Sequence, residues 1–147
     1  MKRHKKQEPA LIHRTTIRVR FSEVDAMNVV WHGSYVRYLE DGREAFGREY
    51  AIGYFDIMKE GYVVPIVDLN VQYKHSVLYG ETITIETRYI PSSAAKILFE
   101  YIIYKEDGQT IAATGSSAQV FVSRETNQLE LNTPAFYKAW KEKWNIG

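Results

Sequence analysis

Residues 20–46 read RFSEVDAMNVVWHGSYVRYLEDGREAF, and they predict the end of a strand, a loop and a long helix, in that order. From Tyr35 onward, apolar or small side chains fall at positions 35, 38, 39, 42, 45 and 46, which is the spacing of an amphipathic helix. Charged side chains hold most of the other positions, so one face of this helix is expected to pack on a sheet. Gly42 on that face predicts a close approach. Ser34 is the expected N-cap, and Gly47 is the expected start of the helix end.

Alternating apolar residues on both sides of the helix predict an antiparallel sheet of about five strands. The segments with strand character are 15–21, 67–73, 82–90, 96–105 and 109–122. Pro65 is compatible with the second of these only near a strand start or a sheet edge. Asp107-Gly108 predicts a two-residue hairpin turn between the last two segments.

Two further segments have helical character. Residues 53–61 read as a short helical turn or a loop. Thr133 and Pro134 read as the N-cap and first residue of a terminal helix, with Trp140 and Trp144 on its apolar stripe. The order of elements therefore predicts an α+β domain in which one long helix covers one face of the sheet.

Length and composition narrow the class of protein. A chain of 147 residues suits one domain, and we expect a basic N-terminal tail over 1–13 and a single domain over 14–147. The absence of cysteine excludes disulfides, thiolate metal sites and cysteine nucleophiles. A net charge of +1 gives no general attraction for nucleic acid, and the four scattered histidines do not predict a metal site. No apolar run approaches the ~18 residues of a membrane span, so a cytoplasmic protein is expected.

The loop before the long helix is a candidate acyl-transfer site. Asp25 offers a carboxylate, and the backbone N–H groups of His32 and Gly33 lie where a helix N-terminus leaves donors unpaired. The alternative for Asp25 is a turn residue whose side chain bonds nearby backbone N–H groups. The His32 side chain is expected either to contact substrate or Asp25, or simply to pack at the helix start. Glu23 is expected to be a solvated or salt-bridged residue, unless an extended 22–25 pairs it with Asp25.

The same segment resembles the signature of the 4-hydroxybenzoyl-CoA thioesterase family, which are hotdog-fold acyl-CoA thioesterases. The matching residues are Asp25, Val29-Val30, the aromatic residue at 31, His32, Tyr35, Tyr38 and Arg43. The resemblance is tightest over 17–50 and continues more loosely to about residue 124. It implies a hotdog fold, in which the sheet wraps around the long helix, and hydrolysis of acyl-CoA thioesters to a carboxylic acid and CoA. It also implies that Asp25 is the nucleophile or the general base, and that the N–H groups of His32 and Gly33 polarise the carbonyl.

The resemblance further implies where substrate binds. Phe21, Val30 and Tyr35 are expected near the acyl group. Lys96 is expected to contact the CoA phosphates, with Lys74, Arg88 and Arg124 as weaker candidates. Coenzyme A enters as part of the substrate, and no cofactor is expected. Two positions depart from the family pattern: Asn28 stands where the loop commonly has Gly, and Phe21 stands where many relatives have Tyr.

Family members pair through their sheets, so the resemblance implies a homodimer or homotetramer with its active sites at the dimer interface. The second face of 96–105 carries Leu98, Ile102 and Tyr104, which is compatible with such pairing. Two other functions fit the same sequence. One is hydrolysis of acyl groups carried by acyl carrier protein. The other is a non-catalytic module that binds acyl-CoA.

Overall fold

A five-stranded antiparallel sheet with the order β1-β4-β5-β6-β3 forms the body of the protein. The computed structural model describes residues 8–147. Its strands are β1 Leu11–Arg18, β2 Tyr62–Val63, β3 Ile66–Tyr73, β4 Thr82–Ile90, β5 Lys96–Tyr104, β6 Ile111–Val120 and β7 Val122–Ser123. Its helices are α1 Ser34–Tyr50, α2 Tyr54–Met58 and α3 Ala135–Lys143, with a 3₁₀ turn over Phe21–Glu23. β2 and β7 pair separately. No helix in the described part of the chain is long and apolar enough to cross a membrane.

The long helix α1 packs on the inner face of the sheet, as its periodicity predicted. Tyr38, Leu39 and Phe46 are all at most 1% exposed. Gly42 allows the close approach expected of it, because a Cβ at that position would lie 2.5 Å from Oγ1 of Thr87 and 2.8 Å from Cγ2 of Ile85. The helix therefore sits low enough on β4 for its core side chains to interdigitate with the sheet.

The ends of α1 differ from the prediction. Gly33 is the N-cap, and Ser34 is the first helical residue, with its hydroxyl donating to the carbonyl of Glu23. Gly47 does not begin the helix end; the helix runs to Tyr50 and stops at Ala51, which has a left-handed backbone at φ 56°. Gly47 serves packing instead, because a Cβ there would lie 2.8 Å from the Cα of Gly53.

The predicted order of strands and helices is confirmed, and so is the hotdog architecture with one long helix and a C-terminal helix. The predicted strand at 15–21 is displaced: β1 covers Leu11–Arg18 and includes residues 11–13 of the expected tail. The displacement arises because the chain turns at Phe21–Glu23, where the Arg20 N–H donates to Oε1 of Glu23 at 2.7 Å. The rest of the expected tail, residues 1–7, lies outside the described residues.

Two other local predictions are corrected. The connection between β5 and β6 is longer than a two-residue turn: the Lys105 N–H donates to the carbonyl of Thr110, and four residues lie between them. The Asp107 carboxylate holds this loop by accepting the N–H groups of Gln109 and Thr110. At α3, Pro134 is the N-cap rather than Thr133, and the helix begins at Ala135.

The terminal helix α3 closes one end of the core. Tyr137 and Trp140 are at most 6% exposed, and the Trp140 indole donates to the carbonyl of Tyr50 at 2.7 Å. This contact joins the end of α3 to the end of α1. The opposite end of α1, its N-terminus, stays accessible and carries the candidate site.

Apolar side chains are partly exposed at two places on the sheet, the outer face of β5 and the edge strand β3. On the outer face of β5, Leu98, Ile102 and Tyr104 are half-buried within one chain. The nearby Glu86 carboxylate is buried under Arg14 and Arg88, whose Nε atoms lie 2.7 and 2.6 Å from it. Strand β3 is at the sheet edge, as Pro65 suggested, and its Val67 and Leu69 are 58% and 37% exposed.

Candidate active site

The loop before α1 is fixed against a second segment by main-chain hydrogen bonds. The Val30 N–H donates to the carbonyl of Val77 at 2.8 Å, and Val29 forms an antiparallel bridge with Leu78. Asn28 adopts a left-handed backbone at φ 64°, which Asn tolerates better than most residues. The replacement of Gly by Asn at this position is therefore compatible with the loop conformation.

Asp25 lies in this loop, and its two carboxylate oxygens have different surroundings. Oδ1 accepts the N–H of Met27 at 2.8 Å and that of Val29 at 3.4 Å. Oδ2 has no hydrogen-bond partner among the described residues, and the side chain is exposed. One oxygen thus shapes the turn, as the structural alternative predicted, while the other is available to a reactant.

Glu23 has the opposite environment, so the paired-carboxylate alternative is wrong. It is 5% exposed, and its Oε1 accepts the Tyr38 hydroxyl at 3.1 Å and the Arg20 N–H at 2.7 Å. Burial and the neighbouring Glu23 charge both raise the pKa of Tyr38. Of the two expectations for Glu23, the solvated one is wrong, and the salt-bridged one is confirmed, because a guanidinium nitrogen of Arg20 lies 3.9 Å from Oε2 of Glu23.

The start of α1 leaves two backbone donors without an acceptor. The Ser34 N–H donates to the carbonyl of Trp31 at 2.9 Å, whereas the N–H groups of His32 and Gly33 have no partner among residues 8–147. Gly33 is the N-cap of α1 and His32 precedes it, so both N–H groups lie at the N-terminal end of the helix, where the backbone dipoles favour negative charge. The Trp31 ring lies over Gly33, and a Cβ at residue 33 would overlap it.

A hollow of about 310 Å³ brings several of the predicted residues together. It is lined by Asp25, Val30, His32, Tyr35, Tyr73, Lys74, His75 and Ser76. Val30 and Tyr35 are 6% and 4% exposed, so they form part of its apolar wall. Burial is the main reason that the pKa of Tyr35 rises to about 12.

Two predicted substrate-binding residues lie elsewhere in the single chain. Phe21 is 78% exposed and packs edge-on against Tyr79, beside a different hollow. Lys96 lines another hollow, formed with residues 129–133 and Lys138. Their roles toward substrate stay predictions.

Sequence reasoning missed Tyr73 and did not single out His75. The Tyr73 hydroxyl donates to the carbonyl of His32 at 3.0 Å, and its ring packs edge-on against Tyr35 at a centroid distance of 5.2 Å. The Nδ1 of His75 lies 3.0 Å from the carbonyl oxygen of Ile111. The only sequence signal was that Tyr73 ends a predicted strand and His75 follows it, which does not show what the strand end faces.

A second pocket, of about 460 Å³, lies farther along α1 and shares no lining residue with the Asp25 hollow. Its apolar walls include Ile57, Ile97 and Phe99, which are at most 5% exposed. Arg43, part of the predicted signature, also lines it and donates to the Tyr101 hydroxyl at 3.2 Å. Arg43 therefore contributes to a polar contact inside the protein rather than to the Asp25 hollow.

Comparison with known proteins identifies the family. A family model described as the Thioesterase-like superfamily matches residues 19–140. The chain belongs to this superfamily. Its members include the protein class that the sequence resemblance indicated, so the predicted family, the hotdog fold and the thioester hydrolase class are confirmed.

Three proteins illustrate the kinds of thioesterase to which this chain is similar. It is 31% identical over 115 residues to YneP of Bacillus subtilis, a provisionally named acyl-CoA thioesterase, covering 78% of this chain and 83% of the relative. A DHNA-CoA thioesterase from Staphylococcus aureus superposes with a TM-score of 0.79 at 28% identity, covering 91% of each chain. An acyl-acyl carrier protein thioesterase of Arabidopsis thaliana is 27% identical over 97 residues, covering 66% of this chain and 51% of the relative.

Proposed function

We propose that this protein hydrolyses acyl-CoA thioesters to a carboxylic acid and CoA. The observation that carries the proposal is the meeting of Asp25 with the start of α1. An unpartnered carboxylate oxygen and two unpartnered backbone N–H groups belong to one short loop that is pinned against residues 77–78. Thioester hydrolysis needs such a pair, because one group must attack or activate water while the other stabilises the negative charge that develops on the carbonyl oxygen.

Two routes use the same residues. In the first, Oδ2 of Asp25 attacks the thioester carbon, the CoA thiolate leaves, and water hydrolyses the resulting mixed anhydride. In the second, Asp25 removes a proton from water, and the water oxygen attacks the thioester directly. In both, the N–H groups of His32 and Gly33 donate to the carbonyl oxygen, an interaction typically worth ~10²- to 10³-fold in turnover.

The substrate contacts follow from the surroundings of that loop. Val30 and Tyr35 are proposed to contact the acyl group, because they form buried walls of the hollow that contains Asp25. Lys74 lines the same hollow and supplies a cation for the CoA phosphates. Phe21 and Lys96 line other hollows and are proposed to contact parts of the substrate that lie outside this one. The reaction needs no cofactor in this scheme, because the side chain and backbone groups supply the nucleophile or base and the charge stabilisation.

A homodimer or homotetramer is part of the proposal. Strand β3 is one of the two edges of the sheet, and its Val67 and Leu69 are exposed apolar side chains that a second copy could cover. A soluble cytoplasmic location, expected from the sequence, stays a prediction.

The carrier of the acyl group is a choice between two candidates. The Arabidopsis thaliana relative favours acyl carrier protein as an alternative to CoA. Thiol release should therefore be compared with the same acyl chain on CoA and on acyl carrier protein, over short, long and aromatic acyl groups. A larger kcat/KM with the CoA thioesters supports the proposal, and a larger value with the acyl carrier protein supports the alternative.

Replacement of Asp25 tests the mechanism. In Asp25→Asn, the amide oxygen still accepts the N–H groups of Met27 and Val29, so the turn should survive while the nucleophile or base is lost. We expect thiol release to fall about 10²- to 10⁴-fold with substrate binding kept. Glu49→Gln, at an exposed residue near the C-terminal end of α1, is the control and should retain normal turnover. Turnover within twofold of the wild type in Asp25→Asn would overturn the mechanism and favour a binding module or another site.

A further inference from the structure

We propose that His75 carries the proton in this reaction, acting as the base toward the attacking water and then as the acid toward the CoA thiolate. The inference rests on the proposed function. His75 lines the hollow that contains Asp25, although the two residues lie far apart in the chain. His32 lines the same hollow, and Tyr73, two residues before His75, donates its hydroxyl to the carbonyl of His32 at 3.0 Å. His75 thus lies across the hollow from the start of α1.

Hydrogen bonds fix which nitrogen of the His75 ring is available. Nδ1 lies 3.0 Å from the carbonyl oxygen of Ile111, and a carbonyl can only accept, so Nδ1 carries a hydrogen and donates. The backbone N–H groups of Lys74 and His75 both donate to the carbonyl of Ala112, which anchors the segment to β6. Nε2 has no partner among the described residues, and in the neutral ring it holds the lone pair.

These contacts suit Asp25 to the role of nucleophile and His75 to the role of base. Oδ1 of Asp25 is occupied by two N–H groups, which hold Oδ2 ready to attack the thioester carbon. An imidazole is intrinsically a stronger base than a carboxylate. A site that contains both can use the carboxylate to form the acyl intermediate and the imidazole to activate water.

The proposed sequence balances in atoms and electrons. Oδ2 of Asp25 forms a bond to the thioester carbon, the carbon–sulfur bond breaks, and the CoA thiolate leaves with the electron pair. Nε2 of His75 then takes one proton from water as the water oxygen bonds to the acyl carbon of the anhydride. The carbon–oxygen bond to Asp25 breaks, which regenerates the carboxylate and releases the acid. The imidazolium finally protonates the thiolate to give CoA.

The other titratable groups that line the hollow are less suited to this role. The Tyr73 hydroxyl is occupied by the carbonyl of His32, and the raised pKa of Tyr35, about 12, keeps it protonated at neutral pH. Lys74 is a cation, so it can attract phosphate but cannot accept a proton. His32 is the remaining competitor; its ring lies beside that of Trp31, with a centroid distance of 4.7 Å.

His75→Asn is the decisive variant, because the Asn amide can still donate to the carbonyl of Ile111 but has no group that replaces Nε2. With an acyl-CoA that the wild type hydrolyses, we expect steady-state turnover to fall about 10²- to 10⁴-fold. The anhydride should then accumulate, so rapid mixing should show a burst of one CoA thiol per active site before the slow phase. Added imidazole should restore part of the steady-state rate in His75→Ala. His13→Asn, the same substitution at a histidine of β1 that does not line the hollow, is the matched control and should show neither a burst nor a loss of turnover.

Two results would overturn the assignment. One is steady-state turnover of His75→Asn within twofold of the wild type. The other is lost turnover with no burst and no rescue by imidazole, which would mean that the ring only holds the segment in place. Failure of the proposed function is distinguishable, because the wild type would then release no thiol from any acyl-CoA. Asp25→Asn should show no burst at all, since it cannot form the anhydride.

Discussion

The Tyr73 hydroxyl donates a hydrogen bond of 3.0 Å to the main-chain carbonyl of His32. The peptide that contains this carbonyl also contains the N–H of Gly33, and the two groups of a planar trans peptide point in opposite directions. A bond that holds the His32 carbonyl therefore also holds the Gly33 N–H in one orientation. Tyr73 is a positioning residue in this scheme, acting on the donor that stabilises the developing charge.

Replacing Tyr73 with Phe removes this bond and keeps the ring that packs on Tyr35. A hydrogen bond of this kind contributes about 0.5–1.5 kcal/mol, so we expect kcat to fall roughly 2- to 13-fold, with little change in KM. Steady-state thiol release measures both constants. Tyr54→Phe is the control, because Tyr54 is 62% exposed and makes no hydrogen bond through its hydroxyl in the described residues. A rise in KM at constant kcat would instead assign Tyr73 to substrate binding.

Replacing Gly42 with alanine tests whether α1 needs its close approach to the sheet. Alanine favours a helix over glycine by about 1 kcal/mol, but a Cβ here meets Thr87 and Ile85 at 2.5 and 2.8 Å. Overpacking of this kind typically costs about 1–3 kcal/mol, so we expect Gly42→Ala to lower the free energy of unfolding by on the order of 1 kcal/mol. Thermal unfolding should show a Tm lower by about 2–4 °C. An unchanged or higher Tm would mean that the helix can lift from β4 at no cost.

A charge placed on the edge strand β3 tests whether two copies of the chain pair through it. Leu69 lies near the middle of β3, so antiparallel pairing of two copies about the strand centre would bring residue 69 close to its own counterpart. In Leu69→Arg the like charges would repel. We expect light scattering to show a dimer or tetramer for the wild type and a shift toward monomer for the variant, with lower turnover.

Phe55→Arg is the matched control for this variant. It places the same charge on another apolar side chain, 74% exposed on α2, and should not change the oligomeric state. A wild-type monomer, or Leu69→Arg that keeps its full assembly, would contradict pairing through β3.

Through Asp107, the β5–β6 loop makes the stability of the protein depend on pH. Hydrogen bonds from the Thr110 hydroxyl and from the N–H groups of Gln109 and Thr110 lower its pKa to about 2. The unfolded chain has the ordinary Asp pKa of about 3.9. The contribution of Asp107 to stability is therefore present above about pH 4 and is lost as the pH falls toward 2. Urea unfolding from pH 5 to pH 2 should show a shallower loss of stability in Asp107→Asn than in the wild type, and parallel curves would contradict the assignment.

Much of the fold could be read from local patterns. The strand predicted at 82–90 is β4 within the same bounds, and the apolar spacing from Tyr35 gave the buried face of α1. These predictions succeeded because period 2 and period 3.6 are properties of neighbouring residues. Boundaries failed where packing outside the helix decided them, as at Gly47, which packs on Gly53 in the following turn instead of ending the helix.

The sequence by itself determined the family, the order of elements, and the local pairing of the Asp25 loop with a helix start. Only the tertiary structure decided that Glu23 is buried and Asp25 exposed, because a 3₁₀ turn rotates the two side chains into different environments. It also decided that Tyr73 and His75 lie beside the start of α1. Those residues come from a segment some forty positions away, joined by bonds such as that of Tyr73 to His32, and no local pattern encodes which segments meet when a sheet closes around its helix.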